Sequence, residues 1–205
     1  MKRILILLAL VLAIGTVRAD IFQDKVDEAL ELKDNAEILK MLEAEAFRGN
    51  LRAALQLGIM YRTGDRVRKD MAQAIRWLEE AADVNWMRFR FKLGLDEAQY
   101  VLGMIRLKGE DTTPDSEEAA EWFEQAAKQG NTRAQTELAD LYLNGRGVER
   151  DPEQAWIWAQ IAADYATGDE LKRTESIRDA AAKQLSPEQL AKAKAFVDGW
   201  YPRSI

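Results

Sequence analysis

The chain repeats itself. Ala53–Ala82, Ala98–Ala127 and Ala134–Ala163 carry the same order of small residues, glycines, Asp and Trp, offset by 45 and then 36 residues. A period of this size restricts the fold to stacked supersecondary units, because one such unit cannot bury its apolar face alone. Asp34, Asp70, Asp115 and Asp151 stand 36, 45 and 36 residues apart, each followed three positions later by Glu37, Gln73, Glu118 or Gln154. Four capping boxes are expected: the Asp accepts from orphan amides of the first turn, and the Glu or Gln reaches back. Pro152 at the first helical position strengthens the last.

Each helix so started is called a B helix. Its apolar residues fall at one-turn spacing: Ala74, Trp77, Leu78, Ala81 and Ala82; Ala119, Trp122, Phe123, Ala126 and Ala127; Ala155, Trp158, Ala162 and Ala163. That period buries one helix face, and a Trp recurring at one repeat position reads as core packing. An A helix precedes each, over about Arg52–Thr63 in the first repeat. Gly58, Gly103 and Ala139 should let its axis approach the B helix, and Gly64, Gly109 and Gly145 should end it. Short loops between paired helices make antiparallel hairpins. Asp34–Arg48 is the second half of a degenerate earlier repeat, because residues 49–53 match 130–134. Asp169–Gln184, with Leu171, Ile177, Ala180 and Ala181 inward, and a helix from Ser186 to about Trp200 should close the other end. The expected fold is all-α: a right-handed superhelical solenoid of antiparallel helix pairs, with about eight to ten helices.

These residues resemble the Sel1-like repeat, a relative of the tetratricopeptide repeat. The third copy carries it most fully, in Gly145, Arg146, Gly147, Val148, Asp151, Ala155 and Trp158. The resemblance implies a scaffold that binds proteins, often as an adaptor in bacterial envelopes and in some members as an immunity protein. It also marks three departures. Arg66 and Asp111 stand where Gly147 fits the pattern, so those two loops should bend differently. Arg106 replaces the aromatic of Tyr61 and Tyr142, which should weaken the second repeat's core or turn its A helix. Nine extra residues lie between Ala82 and Ala98.

The start reads as a leader. Lys2 and Arg3 precede an apolar run of 11 residues, Ile4–Ile14, too short to span a bilayer, and Val17-Arg18-Ala19 offers a signal-peptidase site. The expected localisation is periplasmic or secreted, after cleavage following Ala19. Removing Lys2, Arg3 and Arg18 from 29 basic residues leaves 26 against 35 acidic ones. Such an acidic protein is a poor general binder of nucleic acid. The domains expected are a signal peptide at 1–19, N-terminal capping helices at 20–50, three repeats at 51–167 with an insertion at about 84–94, and C-terminal capping helices at 168–205.

With no Cys and no His, thiolate metal sites, disulfides and imidazole proton shuttles are excluded. Neighbouring acids such as Glu79 and Glu80 do not converge on one site. No catalytic, cofactor or metal site is expected, and the chain is read as a non-enzyme. By analogy with tetratricopeptide repeats, a concave A-helix face would hold a protein or peptide partner through Arg52, Leu55, Ile59, Arg62, Glu97, Tyr100, Met104, Lys108, Arg133, Asp140 and Asn144. The insertion alternates apolar and basic residues through Trp86, Arg88, Phe89, Arg90, Phe91 and Lys92. It is either a partner-binding or self-association edge or a satellite core with solvated cations. The function expected is an exported adaptor of the envelope. The alternatives are an immunity protein neutralising a secreted effector and, from another class, an envelope hydrolase.

Overall fold

The structure is a computed structural model that describes residues 34–82 and 95–200, with Asp24, Val26, Asp27 and Leu30. The leader at 1–19 and the insertion residues Trp86, Arg88, Phe89, Arg90 and Phe91 lie outside the described residues. Nine complete helices are present among the described residues, and no strand: α1 Asn35–Phe47, α2 Leu51–Thr63, α3 Met71–Ala82, α4 Asp96–Lys108, α5 Ser116–Lys128, α6 Thr132–Asn144, α7 Pro152–Ala163, α8 Gly168–Ala182 and α9 Pro187–Asp198. They form two compact units that divide after Ala81.

Local chemistry explains where the helices start. The side chain of Asp34 accepts from Ala36 N, Asp70 from Gln73 N, Asp115 from Glu118 N, and Asp151 from Glu153 N and Gln154 N. Both halves of a capping box form at Ser186, whose backbone N–H donates to Gln189. The reach-back expected of Gln73, Glu118 and Gln154 is not made: the amides of Asp70, Asp115 and Asp151 donate to A-helix carbonyls. Glu118 Oε1 accepts from Trp122 Nε1 at 3.3 Å and meets Arg106 Nε at 2.9 Å. Gly64, Gly109 and Gly145 end the A helices in the left-handed region, with φ of 77°, 67° and 65°.

The first unit packs α1 on α2. Ile38, Leu42, Leu57, Met60 and Leu78 are its largest fully buried side chains. A Cβ on Gly58 would stand 2.6 Å from Leu78 Cγ, so bare glycine is what lets α3 lie this close to α2. In the second unit α4 to α8 pack each on the next, α8 also touches α6, and α9 lies on α7. There Gly103 meets Phe123 as Gly58 meets Leu78, with 2.5 Å from a notional Cβ to the ring. In the third repeat the two equivalent positions hold Ala139 and Ala159, both fully buried. A large B-helix residue is matched by Gly and a small one by Ala, which keeps the filled volume nearly constant. Trp77 and Trp158 are buried, while Trp122 is half-buried.

Two expectations are corrected. Arg66 and Asp111 take φ of 61° and 53°, beside 71° at Gly147, so the three A–B loops turn alike. The fixed ends explain why: the amides of Asp70, Asp115 and Asp151 donate to the carbonyls of Tyr61, Arg106 and Tyr142 at 2.9, 2.9 and 3.0 Å. The same bond shows that Arg106 leaves its helix unturned. Its side chain pairs with Glu118, where an aromatic would have packed.

At the C-terminal end α8 starts 36 residues after α6, as α6 starts 36 after α4. It is therefore the A helix of a fourth, altered repeat. Thr174, Ile177 and Ala181 are its buried residues, with Leu171 and Ala180 half-buried. Trp200 meets Trp158 edge to face at 6.1 Å and Lys192 pairs with Glu153 at 3.1 Å, so α9 runs in the same direction as α7.

Candidate partner-binding face

In the second unit the A helices α4, α6 and α8 are tied by side chains one repeat apart. Arg133 of α6 pairs with Glu97 of α4. Its guanidinium lies 4.4 Å from the centroid of the Tyr100 ring, a cation–π geometry. Tyr100 in turn leans on buried Phe123, ring centroids 6.0 Å apart. One step along, Arg173 of α8 donates to both carboxylate oxygens of Glu137, at 2.7 and 2.8 Å. Beneath them Thr136 and Thr174 share a buried hydrogen bond of 2.9 Å.

The electrostatics follow from this placement. Burial raises the Tyr100 phenol above its ordinary pKa; the Arg133 charge opposes that, and Glu137, Glu170 and Glu97 add to it. The hydrogen bond to Glu137 holds Arg173 above the usual arginine range against the opposing effect of burial. Glu97, Glu137 and Asp140 each have an arginine partner: Arg133, Arg173 and Arg146. Carboxylates committed this way organise a surface rather than move protons. No group of three or more Asp or Glu among the described residues is placed to hold a metal ion.

Of the sequence-derived set, Tyr100 and Arg133 meet directly. Met104 is half-buried and packs on the core one turn along α4, and Lys108 is exposed at its end. Asp140 and Asn144 form a second cluster, with Asn144 Nδ2 donating to Asp140 Oδ1 at 2.8 Å and Arg146 pairing with the other oxygen. In the first unit, Leu55 and Ile59 lie half-buried one turn apart on α2, with Arg52 exposed and Arg62 half-buried. The sequence reading missed Glu137 and Arg173. Their separation of 36 residues, the repeat length, was the available signal.

The Sel1 repeat pattern matches residues 51–85, 96–131 and 132–164. The chain belongs to the Sel1 repeat family. A crystal structure of a Sel1 repeat protein from Oxalobacter formigenes is 31% identical, with a TM-score of 0.58, over 67% of this chain and 97% of that one. The all-α repeat-solenoid class expected from the period is thereby borne out. Among relatives, an uncharacterised Neisseria meningitidis protein is 36% identical over 58% of this chain and 22% of its own length. The alginate biosynthesis protein AlgK of Pseudomonas syringae is 29% identical over 80% of this chain and 32% of AlgK. The yeast chitin synthase regulator SKT5 is 30% identical over 72% of this chain and 20% of SKT5. The chain thus spans about a third or less of the length of these curated relatives. Sel1 repeats are protein–protein interaction modules, and their fold is typically a non-catalytic scaffold. No helix among the described residues is long and apolar enough to cross a membrane.

Proposed function

We propose that this chain is an exported interaction module that holds an extended segment of a partner protein against its A-helix faces. The observation that carries the reading is the Tyr100–Arg133–Glu97 arrangement. It presents a half-buried aromatic edge, a fixed guanidinium and the thioether of Met104 on one side of α4 and α6. Aromatic and Arg side chains held rigid by their neighbours are the types that anchor interfaces, because little rotamer freedom is lost on binding. In the first unit, Arg52, Leu55, Ile59 and Arg62 offer a similar apolar centre with basic margins. Lys108, Asp140 and Asn144 lie along the second unit's A helices. Export is supported by the basic start and 11-residue apolar run ahead of Ala19.

The test is site-specific photocrosslinking in a bacterial host. A photoreactive residue at Met104 should capture a protein that one at Glu121, exposed on a B helix, does not. Tyr100→Asp/Met104→Asp, shown folded by circular dichroism, should abolish capture from a photoreactive residue at Asn144. A folded double variant that keeps every crosslinked partner would overturn the reading. Cell fractionation with N-terminal sequencing tests export: the mature chain should begin at Asp20.

A further inference from the structure

The three A–B loops turn alike but differ in charge. Residues 62–70 carry four basic and two acidic side chains, residues 107–115 one basic and three acidic, and residues 143–151 two of each. In the third loop the cations are engaged locally, Arg146 by Asp140 and Arg150 by Leu143 O and Gln184. The first loop borders an open cleft of about 530 Å³. Arg66, Arg68 and Lys69 line it, all three exposed, with Leu39 and Tyr61 beneath and Asn35 of the first turn of α1 at the side. Arg66 Nη1 donates to Leu30 O at 3.1 Å, which sets the direction of one cation along the rim.

We propose that this cleft in the first unit binds a short acidic peptide segment of a partner protein, its carboxylates on Arg66, Arg68 and Lys69 and one apolar side chain against Leu39 and Tyr61. Three cations line the cleft against one acid, Asp70, in a chain whose overall balance is 29 basic to 35 acidic residues. Like charges at a shared rim repel, and an anionic ligand relieves that repulsion. Two arginines offer forked donors suited to carboxylates. The site is separate from the α4–α6 face, and each is read out by its own variants, so the two proposals stand or fall independently.

The experiment uses the purified chain and a fluorescein-labelled hexapeptide of alternating glutamate and leucine, followed by fluorescence anisotropy at low and high salt. Binding should saturate and weaken as salt rises, since exposed charges are screened beyond a Debye length of about 8–10 Å. Arg66→Glu/Arg68→Glu and Lys69→Glu should each weaken it at least tenfold, whereas Lys183→Glu/Lys194→Glu, an equal charge change on exposed residues of the second unit, should leave it unchanged. Arg66→Gly suits the left-handed backbone there, so it removes a cation without disturbing the turn and should weaken binding several-fold with the helical signal intact. Absence of saturable binding, equal loss in the Lys183/Lys194 variant, or unchanged binding in folded Arg66→Gly would each overturn the site. So would a lysine–leucine peptide, a single-stranded oligonucleotide or phosphatidylglycerol vesicles binding as tightly as the acidic peptide.

Discussion

Arg173 and Glu137 occupy the same position of successive repeats and close a two-bond guanidinium–carboxylate fork at 2.7 and 2.8 Å. The Glu137 side chain is only 11% exposed and Arg173 is 41% exposed. Removing the arginine strands a nearly buried carboxylate, whereas removing both charges does not. Arg173→Ala should cost about 2–3 kcal/mol. The Glu137→Gln/Arg173→Ala double variant should cost less than the sum, with a coupling of about 1–2 kcal/mol in urea unfolding. Strict additivity would show that the fork contributes nothing to stability.

The glycine-patterned loop position gives different expectations at its three occurrences. At Gly147 a Cβ would stand 2.0 Å from Ser116 O, and φ is 71°. Gly147→Ala therefore meets backbone that cannot give way, and should destabilise by about 2–4 kcal/mol. Asp111 holds a left-handed φ of 53° with a side chain attached, so Asp111→Gly is relieved of about 0.5–1 kcal/mol of backbone strain and should stay within about 1 kcal/mol of the parent. Arg66→Gly gains the same backbone relief but loses the bond to Leu30 O, and should stay within about 0.5 kcal/mol of the parent. Thermal melts of the three variants give the order directly.

This position also shows what could be read in advance. Helix starts at Asp34, Asp70, Asp115, Asp151 and Ser186 were legible because a cap is chemistry within four residues of chain. The buried stripe was legible for the same reason, and the period because the whole unit recurs along the sequence. The turn at Arg66 and Asp111 was misjudged, because the backbone there is dictated from both sides, by the left-handed glycine before it and the Asp amide bonded back to the A helix. The reach-back of Gln73, Glu118 and Gln154 was misassigned because each Asp amide is taken by a carbonyl of the preceding A helix, a partner nine residues away in the chain. Of the proposed binding face, Tyr100, Met104 and Arg133 were reached by analogy with tetratricopeptide repeats. Glu137 and Arg173 were passed over, although they stand one repeat length apart, because the repeat character of α8 is masked by its substituted core residues. The pairing of Gly with Leu78 or Phe123, and of Ala139 with Ala159, was written in the period but needed facing positions to be compared across helices.

Alkaline pH should weaken the second unit through its tyrosines. Burial raises Tyr100 and Tyr142 above the ordinary 10.0, with nearby acids reinforcing the shift. A folded pKa above the unfolded one means that the native state holds its proton longer. The contribution to stability is fully present below about pH 10 and is lost as pH rises through the folded values. Tyr100→Phe/Tyr142→Phe should therefore flatten the fall in unfolding free energy above about pH 10. Arg173 does not share in this loss, since the hydrogen bond to Glu137 holds it above the usual arginine range. If the double Phe variant falls as steeply as the parent, the phenols are not the groups responsible.

The C-terminal helix should come away by itself. Its contacts with α7 centre on Trp200 against Trp158 and on Lys192 with Glu153, and Ala193 is its one fully buried residue. In a repeat stack each element feels mainly its neighbours, so damage at one end need not spread. A partly exposed ion pair such as Lys192–Glu153 contributes about 0–1 kcal/mol, which leaves apolar packing as the main hold, by the indole pair with Leu190, Ala193 and Val197. Trp200→Ala should cost about 1.5–3 kcal/mol by lost burial and ring contact. Amide hydrogen exchange should then speed up across α9 and the face of α7 around Trp158. The amides of α4 and α5, held by Gly103 against Phe123, should keep their protection. Uniform acceleration from α4 to α9 would mean that the second unit opens as one cooperative body and that Trp200 helps to close it.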